Sequence, residues 1–310
     1  MKRKKPSGVH QPHLAQSALS TTLRQLVDEQ IERSLTVEKI VAMLNGGFAG
    51  IASLSNAEDV ADGRLLEKTI AAIAQSNPNL TVLTQLRIPV RPDALELVEK
   101  NPEAYLKRVT LDANTRTQKT YRADLVLVDR STHLAHLVDI KRSLGSYESA
   151  RIAELRQRML AAALVLPDLL WKEHRRIPVE ETRVVILEAA AKRTDLDAGI
   201  WSLQHLDHLL GVNGARELVR SVRAEFARQI ERNLAAAWKR SQWNGKNQNA
   251  CETVFRVRRG DSAAIADEEP IEELAADNGE DSRDHGSPSQ RRPDRRLRFG
   301  IAPPPPASLH

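Results

Sequence analysis

The stretch YRADLVLVDRSTHLAHLVDIKRS, residues 121–143, constrains the fold more than any other part of the chain. It has the composition of two strands joined by a short polar turn. Val126 and Val128 follow Asp124 on one face, and Leu125 and Leu127 occupy the other. Strands apolar on both faces belong at the centre of a sheet with both sides covered. Asp124, Asp139 and Lys141 interrupt that pattern. A turn centred on Ser131 and Thr132 makes Asp124 and Asp139 a cross-strand pair, with Cβ atoms about 4.5–5.5 Å apart. Side chains alternate along a strand, so Lys141 shares the face of Asp139, one step further on. A slip of one residue would break this arrangement.

Like charges directly opposite each other destabilise a hairpin, and carboxylates in apolar surroundings cost several kcal/mol unless compensated. A divalent cation held by the two carboxylates compensates all three groups at once. Mg²⁺, or Mn²⁺ in its place, is the candidate, because Mg²⁺ takes oxygen ligands and keeps several waters. Lys141 can then position or deprotonate the attacking water, or stabilise negative charge growing on a phosphate.

The flanking segments give the order of elements. Apolar spacing predicts helices from Leu14 to about Arg33 and over TVEKIVAMLN, the second stopping at Gly46 and Gly47. GRLLEKTIAAIAQSNPN predicts a helix ended by Asn-Pro, and TVLTQLRIPV a strand. RPDALELVEKNP fits a short helix or an irregular connection, and AYLKRVTLD a strand. After the hairpin, residues from Tyr147 to Leu166 suit a long helix, and TRVVILEAA a strand apolar on both faces. Helices are expected from about Ile200 to Leu210 and from Ala215 to Arg240. The expected class is α/β, a three-layer fold with a mixed β-sheet flanked by helices and further helices at both ends.

An acid on one strand followed by D-x-K on the next, in a helix-strand-strand-strand-helix-strand order, resembles the PD-(D/E)XK nuclease superfamily, the restriction-endonuclease-like fold. The residues carrying the resemblance are Asp124 in RAD, and Asp139 and Lys141 in DIK, within residues 60 to 190; Ala123 stands where the family's name has proline. The resemblance implies that Asp124 and Asp139 bind the metal and that Lys141 assists phosphodiester hydrolysis. It also implies that a glutamate on the first core helix, here Glu67, joins them as a ligand or positions water. Gln157 corresponds to a glutamine that some members carry on the next helix. Arg142, Arg151 and Arg158 are candidates for nucleic-acid phosphates, with solvated helix charges as the alternative. The implied activity is Mg²⁺-dependent cleavage of nucleic acid, with DNA the expected polymer. The alternatives are a non-catalytic nucleic-acid-binding protein on the same fold, or an accessory protein of a mobile element or secretion system.

Charge and composition bound the rest. The net charge of +5 conceals an asymmetry: residues 261–310 hold 11 acidic and 6 basic side chains, leaving +10 on residues 1–260. That surplus favours a polyanionic partner. Expected divisions are a basic tail over 1–13, a helical segment over 14–58, the nuclease-like core over 59–192, a helical extension over 193–258 and a charged tail over 259–310, where a protein partner could dock. The tails lack the apolar content to fold. No apolar run approaches the about 20 residues of a membrane span, and no secretory signal is evident, so a cytoplasmic protein is expected. A single cysteine, Cys251, excludes an intrachain disulfide and a Cys-based zinc site. His205 and His208 lack a third ligand, and His133 and His136 face opposite ways on a strand. Trp171, Trp201, Trp238 and Trp243 suit core packing better than base stacking. No P-loop motif occurs.

Overall fold

Asp129 sets the register of the central hairpin. Its Oδ1 accepts from the Ser131 N–H at 2.7 Å, the Ser131 hydroxyl at 2.6 Å and the Thr132 N–H at 3.2 Å, and the turn closes through His133 with φ of 54°. The side chain thus supplies the turn chemistry that Asn-Gly would otherwise give. Strand β2 (Thr120–Asp129) then pairs antiparallel with β3 (Leu134–Lys141), Leu125 opposite Val138 and Val128 opposite Ala135. This is the register the sequence predicts.

The computed structural model of the protein describes residues 13–114, 119–145, 147–190 and 194–241. The expected tails lie outside these residues, apart from His13 at the start of the first helix. The described residues all fall within one compact unit, Met1–Ala266. Three further strands, β1 (Leu80–Pro89), β4 (Glu181–Glu188) and β5 (Ile200–Ser202), complete a sheet in the order β1-β2-β3-β4-β5. The β1–β2 and β2–β3 pairs are antiparallel, and β3–β4 and β4–β5 are parallel.

Helices cover both faces. On one side α1 (His13–Ser34), α2 (Val37–Leu44), α3 (Gly47–Gln75), α7 (Leu206–Leu210) and α8 (Ala215–Arg240) bury Val27, Ile40, Ile70, Leu209 and Phe226 with Leu125, Leu127, Val138 and Leu187 of the sheet. On the other side α4 (Pro92–Lys100), α5 (Glu103–Leu106) and α6 (Ser149–Glu173) bury Ala94, Leu106, Met159 and Leu166 with Val126, Val128, Leu137 and Ile186. The protein is therefore an α/β fold with a five-stranded mixed sheet between helical layers. Among the described residues no helix is long and apolar enough to cross a membrane.

Four local expectations change. The helix starting at Gly63 is the second half of α3, which runs unbroken from Gly47 and passes through the expected boundary at 58 and 59. AYLKRVTLD is not a strand: α5 takes its first part, and the loop after it satisfies its backbone elsewhere, Leu111 N–H on Leu164 C=O and Lys107 C=O under Thr182 N–H. Helix α6 continues past Leu166 through Pro167 to Glu173, because burial of Leu169 and Leu170 outweighs the proline's lost hydrogen bond. Ile200 opens the short edge strand β5 before the helical turns at Leu203–His205 and in α7.

A close backbone approach joins α2 to α3. A Cβ on Gly50 would fall 1.6 Å from the Met43 carbonyl oxygen, so only glycine permits this elbow.

Candidate active site

Strands β1 and β2 keep their register but exchange their faces part-way along. In β2, Tyr121 and Ala123 pack on the α6 side, whereas Leu125 and Leu127, of the same parity, pack on the α3 side. In β1, Leu80 and Val82 pack on the α3 side, and Leu86 and Ile88 on the α6 side. Thr84 pairs with Leu125 and Leu86 with Ala123, so the reversal falls at the opposed residues Gln85 and Asp124. Gln85 carries the cause, a left-handed φ of 53°. For a residue other than glycine this conformation costs about 1–2 kcal/mol.

Freed from the regular alternation, Asp124 turns its carboxylate toward β3. Its Oδ2 accepts from the Ile140 N–H at 2.7 Å, beyond the last β2–β3 ladder pair, Leu125 with Val138. A side chain here takes the acceptor role that a strand carbonyl plays elsewhere in the ladder. Asp139, 4% exposed, lies on the α6 side with Leu137. Its Oδ2 accepts from the Tyr121 hydroxyl at 2.7 Å. Lys141 Nζ lies 3.2 Å from Asp139 Oδ1, but off the hydrogen-bonding direction, which leaves that buried oxygen without a well-aimed donor.

Glu67 reaches the same place from α3. Gln85 Nε2 donates to its Oε2 at 2.8 Å, and the Glu67 charge is felt at Asp124. Burial first, then the negative charges of Asp139 and Glu67, push the Asp124 carboxyl up to about 8, against the pull of the Ile140 N–H and Lys141. Burial alone would lower Lys141, but Asp139, Asp124 and Tyr147 outweigh it and hold the ammonium above its ordinary range. Burial and the Asp139 charge raise the Tyr121 hydroxyl, so it stays a donor. The cluster holds more negative charge than one lysine balances.

The structure thus brings together Asp124, Asp139, Lys141 and Glu67. The other candidates are more scattered. Arg142 pairs with Asp59 on α3. Arg151 lies 5.0 Å from the centre of the Tyr147 ring, and Tyr147 in turn acts on Lys141. Arg158 is exposed on α6, yet its charge reaches Tyr121. Gln157 is half-buried beside Arg156, which pairs with Glu103.

Three residues escaped the sequence reading. Tyr121 and Gln85 matter because of the face reversal, which has no signature in the sequence. Glu188 had one: an acid ending the apolar strand TRVVILE, as Asp139 interrupts its own strand. Glu188 is fully buried, pairs in register with Lys141 and accepts from the Leu144 N–H at 3.3 Å. Among the described residues, no three His, Cys, Asp or Glu side chains stand together in a set that could hold a metal ion. His136, His205 and His208 surround Trp201 as aromatic neighbours, and burial with nearby Arg183 and His208 lowers His136 to about 4.

No family model, curated protein or solved structure matches the chain.

Proposed function

We propose that the protein is a metal-dependent nuclease that hydrolyses nucleic-acid phosphodiesters, with DNA the expected substrate and a restriction-endonuclease-like core. The observation that carries this reading is the convergence of Asp124, Asp139, Glu67 and Lys141 where β2 and β3 part. Their carboxylates are hard oxygen donors of the kind Mg²⁺ prefers, and Asp139 Oδ1 is a buried oxygen without a well-aimed donor. The negative charge that raises Asp124 is charge a cation would relieve. In this reading Asp124 and Asp139 would hold a divalent cation and Glu67 would support them. Bound there, the cation would supply electrostatic stabilisation to the phosphoryl group under attack.

The chain's own contribution follows from its proton inventory. Asp139 and Asp124 favour the charged form of Lys141 in the metal-free cluster, which suits it to orient water and neutralise charge growing on the phosphate. Tyr121 fixes Asp139 through Oδ2 and leaves Oδ1 to face Lys141. Gln85 orients Glu67.

A second reading is a non-catalytic nucleic-acid-binding or accessory protein whose charged cluster is an internal ion pair. It is favoured by the absence, among the described residues, of three metal-ligating side chains in one group. The test is cleavage of linear, circular, single-stranded and branched DNA with Mg²⁺ or Mn²⁺, beside Lys141→Ala and an EDTA control. Metal-dependent cutting lost in the variant supports the nuclease. Nucleic acid bound equally by both proteins but never cut rejects it in favour of the second reading.

A further inference from the structure

A pocket of about 350 Å³ opens on the α8 side of the sheet, lined by Ala189, Ala190 and Gln204 and by Arg216, Arg220 and Arg223 of α8. Among the described residues no acidic side chain lines it. The neighbouring cleft between α1 and α8 differs: its Arg24 and Arg228 are interleaved with Asp28 and Glu225. Residues 216, 220 and 223 lie four and three apart, so they share one stripe of the helix. Arg223 is anchored by a two-point bond to the buried Asp62, at 3.0 and 2.6 Å. Among the described residues, the Arg216 and Arg220 side chains pair with Glu217 at 3.8 and 3.7 Å, and Glu217 is 66% exposed in its side chain; Asp207 accepts from the Arg216 backbone N–H at 2.9 Å. Exposed pairs this long contribute little and are easily exchanged for another anion.

The pocket adjoins the candidate active site through the backbone. Ala189 follows Glu188, the register partner of Lys141, and its N–H donates to the Lys141 carbonyl at 2.9 Å. Asp139 and Lys141 lie on the α6 side of this sheet end, and the arginines lie on the α8 side, the side from which Glu67 of α3 approaches. A polyanion crossing the end of the sheet would meet both.

We propose that Arg216, Arg220 and Arg223 form a phosphate-binding subsite that holds the backbone of a nucleic-acid strand next to the candidate catalytic cluster. The nature of the strand rests on the nuclease reading; the affinity for phosphate oxyanions rests on the arginines alone. Arginine suits this task because its planar fork matches phosphate oxygens two at a time. Openness to solvent, with the Arg220 side chain 62% exposed, suits a continuous strand better than an enclosed small anion.

The test is binding of labelled single-stranded and duplex oligonucleotides by the full chain in EDTA, across a salt series, with inorganic pyrophosphate as competitor. Wild type and Arg216→Gln/Arg220→Gln are compared. The expected result is about tenfold weaker binding in the double variant, with a salt slope reduced by about 1–2. Both replaced arginines are on the surface, and circular dichroism confirms that the variant folds. Equal affinity and slope in wild type and double variant overturn the proposal. So does wild type that binds pyrophosphate but neither oligonucleotide. A protein that binds strands through these arginines yet never cuts them with Mg²⁺ defeats the nuclease reading and leaves the subsite standing. A protein that cuts, and whose double variant binds and cuts as wild type does, defeats the subsite alone.

Discussion

Gln85 lies opposite Asp124 between β1 and β2, and at this pair both strands exchange their inner and outer faces without losing register. The left-handed φ of Gln85 makes the exchange, and Gln85 also donates to Glu67. Strand propensity is therefore a poor guide here. Gln85→Val, although valine is a strong strand former, is expected to destabilise the protein by about 2 kcal/mol, because a β-branched residue resists positive φ. Gln85→Gly should stay within about 1 kcal/mol of wild type, its relief of strain offset by greater freedom in the unfolded chain. Urea unfolding measures both, and equal stability of the two variants would contradict the strain.

The raised Asp124 carboxyl makes metal-free stability depend on pH. Its ordinary value is 3.8 and its folded value about 8. Between these the folded protein keeps a proton that the unfolded chain releases, so stability falls as pH rises from about 4 to 8. The expected loss from pH 5 to 8 is about 1–3 kcal/mol, discounted for the partial exposure of Asp124. Asp124→Asn should flatten this slope. Added Mg²⁺ should stabilise wild type more at pH 8 than at pH 5, since the cation competes with the proton. Thermal melts across pH, with and without Mg²⁺, would show no such fall if the carboxyl were unperturbed.

The acidic neighbours of Lys141 favour its charged form, so its charge is expected to matter more than its basicity. Under the proposed nuclease activity, Lys141→Met should reduce DNA cleavage by about 10²–10⁴-fold. Lys141→Arg, which keeps the charge and cannot serve as a base, should remain clearly more active than Lys141→Met. Initial rates on the preferred DNA substrate decide this. Arginine no better than methionine would return the lysine to the role of base.

The α2–α3 elbow supplies a test of packing remote from the site. Gly50→Ala drives a methyl group into the Met43 carbonyl, which is backbone and cannot yield, so a loss of about 3 kcal/mol or more is expected. Gly63→Ala, in the same helix with nothing within 4 Å of the added carbon, should instead gain about 0.5–1 kcal/mol from helix propensity. Denaturant midpoints of the two variants should move in opposite directions.

The register of the hairpin was legible because Asp129, Ser131 and Thr132 supply a local turn and both strands are continuously apolar. The grouping of Asp124, Asp139 and Lys141 followed from it, whereas Glu67 was expected only from the resemblance. The simple picture of two carboxylates side by side on one face did not survive, because it assumes unbroken alternation, and alternation depends on the φ of Gln85, a residue type that gives no warning. AYLKRVTLD failed for a related reason: its β-branched residues suit a strand, but its hydrogen bonds go to α6 and β4 instead. Pro167 misled in the other direction, since the residue before a proline usually leaves the helix, and here burial on either side overrode that preference.

The bond from the Ile140 N–H to Asp124 Oδ2 ties a backbone amide to an ionisable oxygen. Whatever claims that oxygen, whether a proton or a cation, weakens the acceptor and loosens the fork between β2 and β3. The occupancy of the acidic cluster and the opening of this sheet end are thus linked equilibria, and the Ile140 amide works as a gauge between them. Its hydrogen-exchange rate and nitrogen chemical shift should follow the charge on Asp124 as pH or Mg²⁺ changes, even when no substrate is present.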